Sequence, residues 1–154
     1  MFHDNDTEVF IDPDSDGLNY YEFKMNALGT IWELSLPKPY NQGGEPILGC
    51  NMNGLRKKVI VHGTLNGPTS EDQGWEAHLS FPWSELAQYH KEKSGPPKPG
   101  DHWQIKLSRV QWEHTIEDDQ YVRNPPHGTD LTVERSTPMS NNIPKTTESG
   151  VLKA

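Results

Sequence analysis

Two segments of alternating apolar and polar residues, separated by a run of turn-forming residues, constrain the fold of this chain most. The first is "TEVFID" at residues 7–12, and the second is "YYEFKMNA" at residues 20–27. Alternate side chains of a β-strand point to opposite faces, so each segment has one apolar face. The intervening "PDSDGLN" supplies the residue types that favour tight turns. The sequence therefore predicts an antiparallel hairpin that turns at Pro13 to Asn19. Its apolar faces consist of Val9, Ile11, Tyr21, Phe23 and Met25.

Later segments extend this pattern of strands. Two further alternating runs are joined by a stretch rich in turn residues and predict a second hairpin, and a last run predicts a fifth strand. Between them, a segment with helical spacing begins near Pro82, a residue suited to a first helical turn. Several short strands with long loops predict an all-β fold, a partial antiparallel β-sandwich with one short helix. The segments are "KKVIVHGTL", "GWEAHLSF", "FPWSELAQYHKEK" and "DHWQIKLSRVQW".

The composition changes near residue 114. Beyond that point prolines, serines, threonines and charges replace any periodic apolar face. Such a segment buries too little apolar area to offset its ordering entropy. We therefore expect one domain at residues 1–113 and a mostly disordered tail at residues 114–154. Within the tail, "TDLTV" at residues 129–133 forms at most a short edge strand.

Composition and charge exclude several classes of function. The 14 basic and 22 acidic residues give a formal charge of −8, which repels nucleic-acid phosphates and anionic lipid headgroups. No run approaches the roughly 18 apolar residues of a membrane span, and we expect no export signal at the start "MFHDNDTEV". The single Cys50 forms no internal disulfide and indicates no compartment. The sequence thus predicts no nucleic-acid or membrane partner and leaves the localisation open.

The turn between the first two strands carries three aspartates. Asp12, Asp14, Asp16 and Gly17 match the start of an EF-hand calcium loop, but the position of the bidentate glutamate is Phe23. One interpretation is a solvated hairpin tip in which Asp and Gly serve the turn geometry. The other is a weak calcium site built from the three aspartate carboxylates.

Polar residues share the second face of the predicted hairpin. In the expected register, Glu8, Lys24 and Asn26 lie together, with Phe2 near the amino-terminal end. A carboxylate, an ammonium and an amide can hydrogen-bond vicinal hydroxyls, and an aromatic ring can stack on the C–H face of a sugar. The alternative is a solvated face with a cross-strand Glu8 and Lys24 pair, which contributes about 0.2 to 1 kcal/mol.

Three segments, taken in their order along the chain, resemble the family-9 carbohydrate-binding modules. They are "FHDNDTEVFIDPDSDGLNYYEFKMNALGTIWELSLPKPYNQGG", "GWEAHLSFPWSELA" and "GDHWQIKLSRVQW", and they cover about residues 2 to 112. The resemblance implies an antiparallel β-sandwich that binds mono- or oligosaccharides, at reducing ends in characterised members. Such modules are attached to glycoside hydrolases in polysaccharide breakdown, are often extracellular, and in some cases carry structural calcium.

The resemblance also implies which residues bind sugar. The family's ligand carboxylate falls on Glu8, its basic residue on Lys24, where sugar-binding members have arginine, and its amide on Asn26. One wall of the family's aromatic sandwich falls on Phe2, whereas the tryptophan of the other wall has no counterpart after Trp112. Among the five tryptophans, Trp32 is the most open to a ligand role, and Trp75 and Trp103 lie on the apolar stripes of their strands.

The chain departs from the family at its start, because members have several strands before the segment that matches Phe2. An open sheet edge and self-association are therefore expected. Scattered histidines without zinc-ligand spacing predict no zinc site, and no nucleophile motif indicates an enzyme. The function predicted is carbohydrate binding without catalysis and without a required cofactor. The alternatives are a structural β-sandwich fragment that binds no ligand, or part of a glycoside hydrolase chain.

Overall fold

Antiparallel β-strands make up most of the computed structural model, which describes residues 4–91 and 95–124 and the backbone of residues 152–153. A single α-helical turn, α1, spans Trp83–Leu86 and continues as a 3-10 turn over Ala87–Tyr89. The strands are β1 (Asp6–Asp12), β2 (Tyr20–Asn26), β3 (Ile31–Leu36), β4 (Ile47–Leu48), β5 (Arg56–His62), β6 (Gly74–Ser80), β7 (Gln104–Val110), β8 (His114–Glu117), β9 (Gln120–Arg123) and β10 (Leu152–Lys153).

The strands form two main sheets and a separate hairpin. The larger sheet has the order β4-β3-β2-β1-β7, and the smaller sheet has the order β10-β6-β5. Among the described residues, β8 and β9 pair only with each other. The predicted hairpin is confirmed: β1 and β2 pair antiparallel, and their connection is residues 13–19. At this turn Ser15, Gly17 and Asn19 adopt positive φ, a conformation that glycine and asparagine accept more readily than most residues.

The apolar core lies where residues of the two sheets meet. Tyr21, Phe23 and Met25 are fully buried, and Ala77 of β6 and Leu86 of α1 belong to the same cluster. Trp75 and Trp103 pack against this cluster, as their position on the apolar stripes predicted. Because residues of both sheets share one core, the predicted all-β, sandwich-like fold with one short helix is confirmed. No helix in the described part of the chain is long and apolar enough to cross a membrane.

Three details differ from the prediction. β3 was not expected from the sequence, because its core-facing side carries the charged residue Glu33. In the structure, Glu33 Oε1 accepts hydrogen bonds from the Tyr21 hydroxyl at 2.7 Å and from the Met52 N–H at 2.8 Å. The helical segment ends at Tyr89, because His90 is extended. Ordered structure also continues beyond residue 113, where the β8–β9 hairpin turns at Asp118 and Asp119.

Both turn residues of that hairpin have positive φ, as the turns that match strand twist require. The hairpin corrects the expectation of disorder for residues 114–123. The proposed edge strand at residues 129–133 lies outside the described residues.

The central strands of the larger sheet are covered on both faces, which also differs from the prediction of half-buried strands. In β1 and β2 the residues that face away from the apolar core are nearly as buried as those that face it. Leu34 and Leu36 of β3 continue this second face and are 2% and 0% exposed. The polar residues of the predicted site therefore lie in a largely buried layer.

Candidate functional site

The strand register places the predicted sugar-binding residues side by side. Glu8 on β1 is directly opposite Lys24 on β2, and Asp6 is opposite Asn26. Since residues two apart along a strand share a face, all four side chains lie on the face that points away from the apolar core. The structure thus brings together Glu8, Lys24 and Asn26, and adds Asp6, which the sequence analysis did not single out.

Lys24 is the centre of a network of charged groups. Its Nζ lies 2.5 Å from Glu8 Oε1 and 3.0 Å from Glu22 Oε1. The second oxygen of each glutamate is also occupied: Ser108 Oγ donates to Glu8 Oε2 at 2.6 Å, and the Tyr40 hydroxyl donates to Glu22 Oε2 at 3.1 Å. We call these groups together with Asp6 and Asn26 the polar cluster.

Burial makes the charges of the polar cluster interact strongly. Glu22 is 1% exposed and Glu8 is 7% exposed, whereas the Lys24 side chain keeps 18% of its surface. Burial acts to lower the pKa of Lys24, but the hydrogen bond that Lys24 donates to Glu8 and the charges of both glutamates outweigh this effect and raise that pKa. Burial raises the pKa of Glu22 against the opposing effect of Lys24. Lys24 therefore stays charged and holds two buried carboxylates together.

Asn26 has a structural role that limits what it can offer a ligand. Its Oδ1 accepts hydrogen bonds from the N–H groups of Leu28 at 3.1 Å and Thr30 at 2.9 Å, which fixes the turn between β2 and β3. Its Nδ2 donates to Asp4 Oδ2 at 3.1 Å. One hydrogen of the amide remains for a further partner. Asn26 Oδ1 therefore stabilises the turn, and only Nδ2 can contact a sugar.

Asp6 differs from the other members of the polar cluster. The residue is 2% exposed, and its Oδ1 has no hydrogen-bond partner among the described residues. Burial, reinforced by the charge of Glu8, raises the pKa of Asp6 to about 7, although Lys24 opposes the shift. Strand parity could have identified Asp6, since it lies two residues before Glu8 in the sequence. Ser108, in contrast, meets Glu8 through the β1–β7 pairing, and no local pattern indicates that contact.

Of the two aromatic residues predicted to contact a sugar, the structure describes only one. Trp32 lies opposite Lys24 on β3, on the same face of the sheet as the polar cluster, and is half-buried. Phe2 lies outside the described residues. A cavity of about 280 Å³ lies elsewhere, lined by residues that include Cys50, Asn53 and Tyr89. Glu8, Lys24, Asn26 and Trp32, the predicted sugar-binding residues in the described ranges, do not line it.

The three aspartates of the hairpin turn lie close together. Oxygens of Asp12, Asp14 and Asp16 are all within 4.8 Å of one another. Asp12 also shapes the turn, because its carboxylate accepts hydrogen bonds from the N–H groups of Ser15 at 3.0 Å and Gly17 at 2.9 Å. Glu22, one place before the EF-hand glutamate position, contacts Lys24 and Tyr40 and belongs to the polar cluster.

A lysine from a distant segment balances this aspartate turn. Lys91 Nζ is hydrogen-bonded to Asp16 Oδ2, and the Lys91 N–H lies 3.3 Å from Asp14 Oδ2. The hydrogen bond from Lys91 lowers the pKa of Asp16. Asp14 Oδ1 is buried without a hydrogen-bond partner in the described structure. The turn therefore holds three acceptor groups and one internal cation that competes for them.

Two of the histidines that look scattered in the sequence share a partner. Glu76 Oε1 lies 2.8 Å from His62 Nε2, and Glu76 Oε2 lies 3.2 Å from His78 Nε2. All three are on the outer face of the β5–β6 pair, so cross-strand pairing rather than sequence spacing brings them together. Within the described ranges, the aspartate turn is the only group of three ligand residues whose oxygens or nitrogens converge closely enough for a metal ion.

Comparison of the chain with models of protein families, with curated protein sequences and with solved structures gave no match. The resemblance to the family-9 modules therefore stays a prediction, and the function is argued from the site.

Proposed function

We propose that this chain is a non-catalytic carbohydrate-binding module of the family-9 type, which binds a mono- or oligosaccharide at the polar cluster. The observation that carries the proposal is the convergence of a carboxylate, an ammonium and an amide on the sheet face that also carries Trp32. Lys24 has a third N–H beyond its bonds to Glu8 and Glu22, and Asn26 has its second amide hydrogen. These donors, with Asp6 Oδ1 as an acceptor, can pair with neighbouring hydroxyls of a sugar.

The exposed side of the cluster indicates how a sugar would enter. Lys24 retains partial exposure, Trp32 is half-buried, and Asp4 is exposed beside Asn26. Trp32 and Glu8 lie two strands apart, roughly 10 Å at the usual strand spacing. A sugar ring stacked on Trp32 reaches Lys24 first, and the glutamates hold that lysine in place. In this proposal Glu8 acts mainly by orienting Lys24, and any hydrolysis belongs to an associated domain.

Titration calorimetry against free glucose, xylose, cellobiose and xylobiose tests the proposal. We expect weak binding by the parent, with Kd in the high micromolar to millimolar range. Trp32→Ala removes the stacking surface and should weaken binding about fivefold or more, since one aromatic stack contributes about 1 kcal/mol. Glu8→Gln keeps the shape of the side chain but removes one of the two carboxylates that hold Lys24, and should weaken binding about tenfold.

A matched control for these variants is Glu76→Gln, which removes one carboxylate charge from the other sheet. It should leave sugar affinity unchanged. Melting curves of all variants establish that each is folded. If the folded parent binds none of the sugars, the carbohydrate-binding proposal fails and the structural alternative replaces it.

That alternative is a β-sandwich fragment without a ligand, and one observation favours it. Every oxygen of Glu8 and Glu22 already has a partner inside the protein, and Asn26 Oδ1 is used by its own turn. A polar layer of this kind can serve to fix the pairing of β1, β2 and β7. Sugar titration separates the two functions directly.

We also propose a weak calcium site at the aspartate turn. Three carboxylates with oxygens within 4.8 Å of one another suit a hard cation, and Asp14 Oδ1 lacks a hydrogen-bond partner among the described residues. Calcium at millimolar concentration should raise the melting temperature, and Asp14→Asn should remove the rise. Lys91→Met should enlarge the rise, because it removes the competing ammonium. A parent melting temperature that is independent of calcium leaves the turn as a purely structural tip.

A further inference from the structure

Asp6 is the member of the polar cluster that its surroundings leave incomplete. Asp6 is 2% exposed, and its Oδ1 has no hydrogen-bond partner in the described structure. A buried carboxylate without a hydrogen bond is costly, so such groups are rare unless a ligand or water completes them. Asp6 shares its strand face with Glu8 and lies opposite Asn26, so its side chain belongs to the same layer as the proposed sugar site.

The charges around Asp6 indicate which kind of ligand group would suit this carboxyl. Asp6, Glu8 and Glu22 contribute three carboxyl groups, and Lys24 contributes one ammonium, which the two glutamates share. Asp4 adds a fourth carboxylate beside Asn26. Lys24 therefore balances only part of the acidic charge that faces this layer. A cation that donates hydrogen bonds to Asp6 would balance the charge and fill the open acceptor together.

A metal ion and a neutral hydroxyl group are less suitable partners for Asp6 than a hydrogen-bonding cation. In the described part of the chain, the polar cluster is not among the groups of ligands that converge on one point, so a metal ion lacks the required geometry. A neutral hydroxyl would satisfy Oδ1 but leave the excess negative charge in place. An ammonium group on a sugar satisfies both requirements.

We propose that the polar cluster selects a sugar that carries a protonated amino group, such as glucosamine or its oligosaccharides, and that Asp6 pairs with this ammonium. The inference rests on the proposed carbohydrate-binding function and adds the class of sugar. Lys24 and the free hydrogen of Asn26 then contact the neighbouring hydroxyls, while Trp32 contacts the ring.

Calorimetry at pH 7 with glucosamine, glucose and N-acetylglucosamine tests the selectivity. The affinity for glucosamine should be at least about tenfold higher than the affinity for either neutral sugar, because only glucosamine brings a cation to a buried carboxylate. Asp6→Asn keeps the shape of the side chain and should reduce glucosamine affinity to that of glucose, with glucose affinity changed less than about twofold. Glu71→Gln removes an acidic charge from the exposed connection between β5 and β6 and should preserve the selectivity.

Proton release gives a second readout that does not depend on a variant folding. Near pH 6 an ordinary amine is protonated, and Asp6 is mostly protonated because its pKa is about 7. Binding of the ammonium should displace up to about one proton, seen as a dependence of the measured enthalpy on the ionisation enthalpy of the buffer. Glucose should release none.

The outcomes separate the two proposals. Equal affinity for glucosamine and glucose, or an Asp6→Asn variant that keeps the preference for glucosamine, overturns the amino-sugar inference but leaves the carbohydrate-binding function intact. Absence of binding by every sugar overturns both.

Discussion

The β1–β2 hairpin buries two faces of opposite chemistry. Towards the second sheet it buries an apolar face in which Phe23 is fully enclosed, and on the other side it buries carboxylates around Lys24, with Glu22 only 1% exposed. Apolar burial stabilises the fold in proportion to the area removed from water. Burial of charge costs free energy that ion pairing only partly returns. The comparison indicates that the apolar face accounts for the stability of the hairpin, whereas the polar face calls for another explanation, in specificity of pairing or in binding.

The largest expected effect is on the apolar face. Phe23→Ala should lower the free energy of unfolding by about 3–5 kcal/mol, because it leaves a cavity among packed rings, including Phe81 at a centroid distance of 5.5 Å. Urea denaturation measures the loss. Leu28→Ala, at a residue that is 62% exposed, is the control and should change stability by no more than about 0.5 kcal/mol. A loss below about 1.5 kcal/mol for Phe23→Ala would contradict the assignment of this face as the main core.

On the polar face, the largest effect should come from Lys24. Lys24→Met retains the aliphatic stem but leaves Glu8 and Glu22 without their shared cation, and should cost about 1.5–3 kcal/mol at neutral pH. The deficit should shrink in acid, because burial raises the pKa of Glu22 and protonation of this residue removes one of the unpaired charges. Lys24→Arg keeps the charge and should be less destabilising. Equal stability of Lys24→Met and the parent at pH 7 would show that the two carboxylates do not depend on Lys24.

Asp6 should make the polar face sensitive to pH. Its pKa is raised from 3.8 to about 7 on folding, so the folded state binds a proton that the unfolded state has lost between these values. Stability therefore falls as pH rises through this window, by at most about 1.4 kcal/mol per pH unit for one group. Asp6→Asn removes this dependence, so the stability of the variant relative to the parent should increase from pH 4 to pH 7 and then level off. A relative stability that is constant over this range would show that Asp6 titrates normally.

The smallest expected effect is at Tyr40. Tyr40→Phe removes the hydroxyl that donates to Glu22 Oε2 and should cost about 0.5–1.5 kcal/mol. Burial and the charge of Glu22 raise the pKa of Tyr40 to about 12, so this hydrogen bond should persist throughout the range in which Asp6 titrates. Tyr20→Phe is the matched control, since the Tyr20 hydroxyl has no hydrogen bond within the described structure. A larger loss for Tyr20→Phe than for Tyr40→Phe would remove Tyr40 from the cluster.

Sequence patterns predicted one of these faces better than the other. The alternation of apolar residues located the β1–β2 hairpin, its turn and its apolar face, and the same parity grouped Glu8 with Lys24 and Asn26. Parity alone does not reveal that a second layer covers the polar face, because this depends on segments distant in sequence. β3 was missed for a related reason: its core side carries Glu33, and its apolar residues Leu34 and Leu36 face the other way.

The contact between Glu8 and Ser108 also has a consequence for how the chain is made. The two residues are 100 positions apart, and their hydrogen bond closes the β1 side of the polar cluster. At ribosomal rates of about 5–20 residues per second, the interval between synthesis of β1 and synthesis of β7 is on the order of 5–20 s. During that interval the nascent hairpin presents an unpaired strand with a half-assembled charged layer, a state open to pairing with other chains. Slow elongation between residues 27 and 103 would prolong this exposure, so the yield of correctly folded chain should depend on translation speed and on chaperones that shield strand edges.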